Sequence, residues 1–282
     1  MNRFIHCNGQ IIPADTEIIR AGNRGLRYGD GLFETMKMVN GFVTLGSLHF
    51  ERLFAGLKTL QIKIPSFLTP EYLSESITQL CEKNNVQQAA RIRLMITRGE
   101  GSLYTAGETG SCIIIQAEPL AHDYLQLNEK GLTIDIYPDA NKSCDILANL
   151  KSNNYLPYVM AALYAQQNNL DDCLLLNTYN RICDATIANI CWVKAGKIYT
   201  PPLSEGCVAG VMRRYLLETA DGLNITERAL QVEDLYDADE ICFTNALFGI
   251  RWVKQFRHKI YSNTIITDVY NRYIKNLQTS QP

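Results

Sequence analysis

The chain has 282 residues, 46% hydrophobic and 20% charged, enough to bury one large core or two modest ones, and two domains are expected. A net charge of −2 and a pI near 6.1 exert no pull toward nucleic acid or an anionic membrane, so the expected partner is a small molecule. Nine scattered cysteines without a C-x-x-C pair, and histidines without ligand spacing, point to no metal and no disulfide set; no signal-like N-terminus or eighteen-residue apolar run occurs, so a reduced, cytoplasmic protein is expected.

Taken in chain order, Arg3 to Pro13 reads as two short strands around Asn8-Gly9, a residue pair that accepts the positive φ of a tight hairpin. The glycine-punctuated stretch from Arg24 to Thr35 leads into Met36–Val39, a turn at Asn40-Gly41, and Phe42–Leu45; these read as strands joined by tight turns. From His49, which marks a helix start, Phe50, Leu53, Phe54, Leu57 and Leu60 recur at helical spacing. A second helix is predicted over Pro70–Asn84, and strands over Ala90–Thr97 and Cys112–Ala117. Residues 1–118 thus form a small α+β domain, residues 119–127 a linker, and residues 128–282 a larger, strand-rich C-terminal domain.

That second domain begins with a strand at Leu132–Tyr137. Next comes a helix after Lys151, with Ser152 or an asparagine as its cap and Pro157 in its first turn. Strands follow at Cys173–Leu176, Ile182–Thr186, Ile190–Val193 and Ile198–Thr200, then a helix over about Val211–Ala220. Glu240–Thr244 reads as the last buried strand.

Several residues carry possible chemistry, each beside a plainer reading. Lys151 lies between an apolar approach and a helix start, where partial burial makes an amine nucleophilic; an ordinary exposed lysine fits the same pattern. Val211 and Met212 open a helix after small residues, leaving backbone N–H groups suited to a phosphate, as many ordinary helices do. Arg52 is a phosphate-binding guanidinium or a solvated surface arginine. Asp184, in an apolar strand, requires a partner: a structural hydrogen bond or a cationic ring nitrogen.

Four blocks, RGLRYGDGLFET (24–35), LHFERL (48–53), LKSNNYL (150–156) and RICDATIANICWVKAGKIYTPPLSEGCVAGVMRR (181–214), resemble in order and spacing the fold-type IV pyridoxal-phosphate family. That family comprises branched-chain aminotransferases, D-amino-acid aminotransferases and aminodeoxychorismate lyases. The resemblance implies the two-domain α+β fold of the D-amino-acid aminotransferase type, a homodimer, and pyridoxal 5′-phosphate in the cleft between domains. It makes Lys151 the Schiff-base lysine and the acid and base at Cα. It assigns the cofactor phosphate to Arg52, the backbone of Val211 and Met212, and the backbone around Asn245 and Ala246; Tyr155 is set at the ring hydroxyl. Asp184 stands where the family usually has glutamate facing the pyridine nitrogen, one methylene shorter.

The run Phe243-Thr244-Asn245-Ala246-Leu247 looks most like the lyases, where aminotransferases more often carry small hydroxyl residues. Thr97-Arg98-Gly99-Glu100-Gly101 also resembles the lyase pattern, without the arginine that often follows it. Phe33 replaces the tyrosine of D-amino-acid aminotransferases, whose arginine and histidine after Thr-Arg-Gly are also absent. Arg93 matches an arginine of branched-chain aminotransferases and serves as a carboxylate binder in either reading; Phe33 and Arg93 are the expected substrate contacts. The expectation is therefore an aminodeoxychorismate lyase acting on an amino-acid-like substrate and releasing pyruvate and 4-aminobenzoate for folate synthesis. The alternatives are an aminotransferase for branched-chain or related amino acids and, from the Asp184 substitution alone, a non-catalytic cofactor-binding protein.

Overall fold

The computed structural model describes residues 3–104, 110–218 and 222–278. They group into two compact units, one running to Ala121 and including Lys151–Asn154, the other made of His122–Leu150 and Tyr155–Gln278. The short Lys151–Asn154 segment therefore sits with the first unit, although it follows the linker in sequence.

In the first unit the strands β1 (Phe4–Cys7) and β2 (Gln10–Pro13) meet at Asn8 and Gly9, whose φ angles are 47° and 93°. The next stretch corrects the sequence reading: Arg24–Tyr28 is a one-turn helix, α1, and not a strand. The Asn23 side chain caps it by accepting from the Leu26 N–H, and Gly29, at φ 66°, ends it in the left-handed region. The other elements are β3 (Gly31–Val39), β4 (Phe42–Val43), α2 (Gly46–Thr59), α3 (Pro70–Asn84), β5 (Ala89–Arg98) and β6 (Ser111–Pro119). Among the described residues they form a six-stranded antiparallel sheet ordered β2-β1-β6-β5-β3-β4. The helices α2 and α3 lay Leu53, Leu57, Leu73, Ile77 and Leu80, all fully buried, on this sheet.

The second unit holds β7 (Leu132–Lys142), α4 (Leu156–Gln167), β8 (Asp172–Asn177), β9 (Ile182–Ala185), β10 (Asn189–Lys194), β11 (Lys197–Thr200) and α5 (Val211–Glu218). It continues with β12 (Ile225–Glu227), α6 (Asp234–Asp237), β13 (Glu240–Asn245), β14 (Gly249–Phe256), β15 (Lys259–Ile260) and α7 (Thr264–Val269). The described strands form one mixed sheet ordered β12-β11-β10-β13-β14-β7-β8-β9, with β15 on β14 and parallel pairing at β14–β7, β7–β8 and β11–β12. Its core centres on Trp192, Phe243 and Phe256. The predicted end of the α5 helix, at residues 219–220, lies outside the described residues.

Two further expectations are corrected here. Ser152 does not cap α4: the helix begins at Leu156 with no side-chain cap, and Ser152 instead bridges to Leu32 of β3. Glu240–Thr244 is not the last strand, because β14 follows and pairs with it from Ile241 to Asn245. The charged and polar residues Arg251, Lys254 and Gln255 mask the apolar character of β14; a sheet that solvates part of one face tolerates them. Among the described residues no helix is long and apolar enough to cross a membrane.

Candidate active site

In the first unit, pleating sends Phe33 and Glu34 to opposite faces of β3. Glu34 meets α2, where His49 and Arg52, one turn apart, share a face. Arg52 grips the Glu34 carboxylate with two parallel bonds, Nε to Oε1 at 2.8 Å and Nη2 to Oε2 at 2.5 Å. His49 Nδ1 lies 2.6 Å from Oε2. Burial alone would raise the Glu34 pKa, but Arg52 and His49 outweigh it and hold the carboxyl at about 2. Burial lowers the His49 pKa; Glu34 opposes this, while the charges of Arg52 and Lys151 add to it. A neutral ring donating through Nδ1 explains why His49 Nε2 has no partner among the described residues. His49 is thus a buried member of the arginine's support and does not mark the helix start, which lies at Gly46.

On the other face, Arg93 of β5 stands opposite Thr35 and so shares the side of Phe33. Its guanidinium lies 4.2 Å from the Phe33 ring centroid, and Lys151 Nζ lies 4.6 Å from the same ring. Lys151 is positioned by its backbone, which runs beside the start of β3: Phe33 N–H donates to Lys151 O at 2.9 Å and Asn153 N–H to Gly31 O at 3.0 Å. Gly31 makes that approach possible, since a Cβ there would sit 2.7 Å from Ile96 O and 2.8 Å from Asn153 Nδ2. Arg98, from the Thr-Arg-Gly run, is structural, donating to Asp30 and to the carbonyls of Leu60 and Gln61.

In the second unit, the remaining candidates gather near the ends of β9, β10 and β13. Tyr155 stacks on Tyr158 with centroids 4.2 Å apart and donates its hydroxyl proton to Thr186 O at 2.9 Å. Val211 and Met212 begin α5, and their N–H groups have no acceptor within the helix, whose first bond runs from Arg214 N–H to Gly210 O. The tight approach before them requires Gly210, where a Cβ would lie 1.8 Å from Asn189 Oδ1. Asn245 accepts from the Leu247 and Phe248 N–H groups at 2.9 and 3.0 Å, closing the turn that contains Ala246.

Asp184 is fully buried and already surrounded by donors. Oδ2 accepts from Lys142 Nζ at 2.6 Å, Tyr158 OH at 2.8 Å and Val208 N–H at 3.0 Å, and Oδ1 accepts from Asn189 Nδ2 at 3.0 Å. Burial works against the Lys142 ammonium, yet the Asp184 carboxylate prevails and raises its pKa. Sequence reasoning missed Lys142, Tyr158 and Asn189, as well as the role of Glu34. A lysine 42 positions before its carboxylate leaves no local signal.

The architecture is that of the fold-type IV enzymes. A branched-chain aminotransferase from Thermoproteus uzoniensis, solved with norvaline, superposes with a TM-score of 0.88 over 98% of this chain and 94% of that one, at 22% identity. The family model for amino-transferase class IV matches residues 31–256, and the chain belongs to that family of enzymes, which depends in general on pyridoxal phosphate. It is 33% identical to an aminodeoxychorismate lyase of Vibrio harveyi, over 81% of this chain and 84% of the relative. It is 30% identical to a Methanocaldococcus jannaschii protein described provisionally as a branched-chain-amino-acid aminotransferase, over 94% of this chain and 92% of the relative.

Proposed function

We propose that this chain binds pyridoxal 5′-phosphate through Lys151 and acts as an aminodeoxychorismate lyase, releasing pyruvate and 4-aminobenzoate. The observation that carries the reading is the Lys151 amine beside the Phe33 ring, whose other neighbour is the Arg93 guanidinium. A nucleophilic amine next to a carboxylate-binding cation suits an amino-acid-like substrate. In the first unit Lys151 would hold the cofactor covalently and Arg52 would meet its phosphate; in the second unit the Val211 and Met212 N–H groups, by the family resemblance, would be phosphate donors. The backbone at Asn245 and Ala246 is a further phosphate contact in this reading.

When bound, the cofactor supplies a carbonyl that takes up the substrate amine and a ring that withdraws electrons from Cα. Lys151 would be the base that removes the substrate's Cα proton. Arg93 binds a substrate carboxylate and so fixes which bond lies in line for cleavage. Glu34 holds Arg52 in one orientation, so little entropy remains to be lost when the phosphate arrives.

Support for elimination over transamination comes from the Asn245-Ala246-Leu247 turn, which Asn245 closes with its own side chain and which carries no hydroxyl residue. The second reading is an aminotransferase, in which Lys151 would hold and return the Cα proton; the M. jannaschii relative, alike over 94% of this chain, favours it. The test is a paired assay on cofactor-loaded protein: 4-aminobenzoate release from aminodeoxychorismate, beside glutamate formation from leucine and 2-oxoglutarate. Aminobenzoate release with little glutamate is expected; glutamate without aminobenzoate would assign the aminotransferase.

A further inference from the structure

The carboxylate that the resemblance sets against the pyridine nitrogen already has a cation as its partner, Lys142. Among the described residues Asp184 receives four donors, three of them on Oδ2 and one on Oδ1. Its charge is neutralised by Lys142 at 2.6 Å, so a ring cation arriving there would meet an ammonium as well as a carboxylate. The residue is 1% exposed, and its side chain is one methylene shorter than glutamate.

Those donors share a purpose. Lys142 Nζ also donates to Gly206 O at 2.7 Å, Val208 N–H bonds to Asp184 directly, and Asn189 Nδ2 bonds to Val208 O at 2.8 Å. At Gly206, φ +82°, a Cβ would fall 2.3 Å from Ser143 O, so the end of β7 is pressed against this turn. The network therefore ties residues 206–210, the run-in to α5, to β7, β9 and β10.

We propose that Asp184, clasped by Lys142, is a positioning residue for the Gly206–Gly210 turn and does not form the ion pair with the cofactor's ring nitrogen, which is left unprotonated. A buried pair of this kind holds geometry because removing one partner strands the other. The ring-nitrogen half of the inference rests on the cofactor reading above; the clasp does not.

Two measurements on the full chain separate them. In the cofactor-free protein, Lys142→Met and Asp184→Asn should each lower Tm by about 5–10 °C, and the double variant should fall no further than the worse single one. Additive losses would overturn the clasp. The chain loaded with ring-¹⁵N pyridoxal phosphate should give a pyridine-type nitrogen resonance, unchanged in Asp184→Asn. A pyridinium-type resonance in the unsubstituted chain overturns the inference even if that variant does not fold. Failure to take up the labelled cofactor refutes the cofactor reading and, with it, the ring-nitrogen half, while the Tm cycle still decides the clasp.

Discussion

Arg52 and Glu34 form a two-pronged ion pair between α2 and β3, and the carboxylate side is completely enclosed. Because the Glu34 pKa falls from 4.5 to about 2 on folding, the unfolded chain binds the extra proton between those values. Stability from this pair is therefore fully present above about pH 4.5 and is lost as pH drops toward 2. Glu34→Ala should cost about 3–5 kcal/mol at neutral pH, measured by urea denaturation, with the gap to the unsubstituted chain closing over that acid range. A gap that stays constant down to pH 2 would show that the pair does not supply it.

Lys37 has the opposite sign of interest. It lies on β3, is 1% exposed, and burial lowers its pKa to about 8 from 10.5. Between those values the folded chain has released a proton that the unfolded chain keeps, so its stability penalty shrinks as pH rises from 8 to 10.5. Lys37→Met should raise stability at pH 7 by about 2 kcal/mol, an advantage that fades at alkaline pH. Destabilisation at pH 7 would mean that the ammonium has a compensating anion.

Arg93→Ala removes the guanidinium from the Phe33 ring and, on the proposed reading, from the substrate carboxylate. A lost charge-assisted hydrogen bond of about 1.5–3 kcal/mol corresponds to a fall in kcat/KM of roughly 10–150-fold. Cofactor absorbance should be retained. Unchanged kinetics would remove Arg93 from the substrate site.

Lys151→Ala should abolish the visible absorbance of the bound cofactor and reduce turnover by at least about 10²–10⁴-fold. Both readouts must fall together. A yellow, active variant would move the covalent role to another amine.

The α4 helix is apolar on nearly every side. Tyr158, Ala161 and Ala165 face the core, while Leu156, Val159, Met160 and Leu163 stay 66%, 46%, 43% and 45% exposed at helical spacing. Such a stripe on a water-facing helix suits an association surface, and a homodimer, which the family resemblance implies as an expectation, is predicted to bury it. Gel filtration with light scattering should show a dimer for the unsubstituted chain and a monomer for Val159→Lys with Leu163→Glu. A dimer indifferent to both charges would place the interface elsewhere.

The periodic apolar positions of α2 and α3, the Asn8-Gly9 hairpin and the inner strands of both units were legible in the sequence, because a 3.6-residue or two-residue repeat is local information. So was the family, through the order of four short blocks. The one-turn helix at Arg24–Tyr28 was not, since its stability rests on a cap and a left-handed glycine and not on periodicity. Nor was the partly polar β14, whose burial depends on the strands beside it. Tertiary structure alone decided the electrostatics: which cation meets Asp184, which carboxylate steadies Arg52, and which ring lies between Lys151 and Arg93. Those pairs join residues 18 to 118 positions apart, so no local pattern can encode them, and each is set by sheet register and helix face.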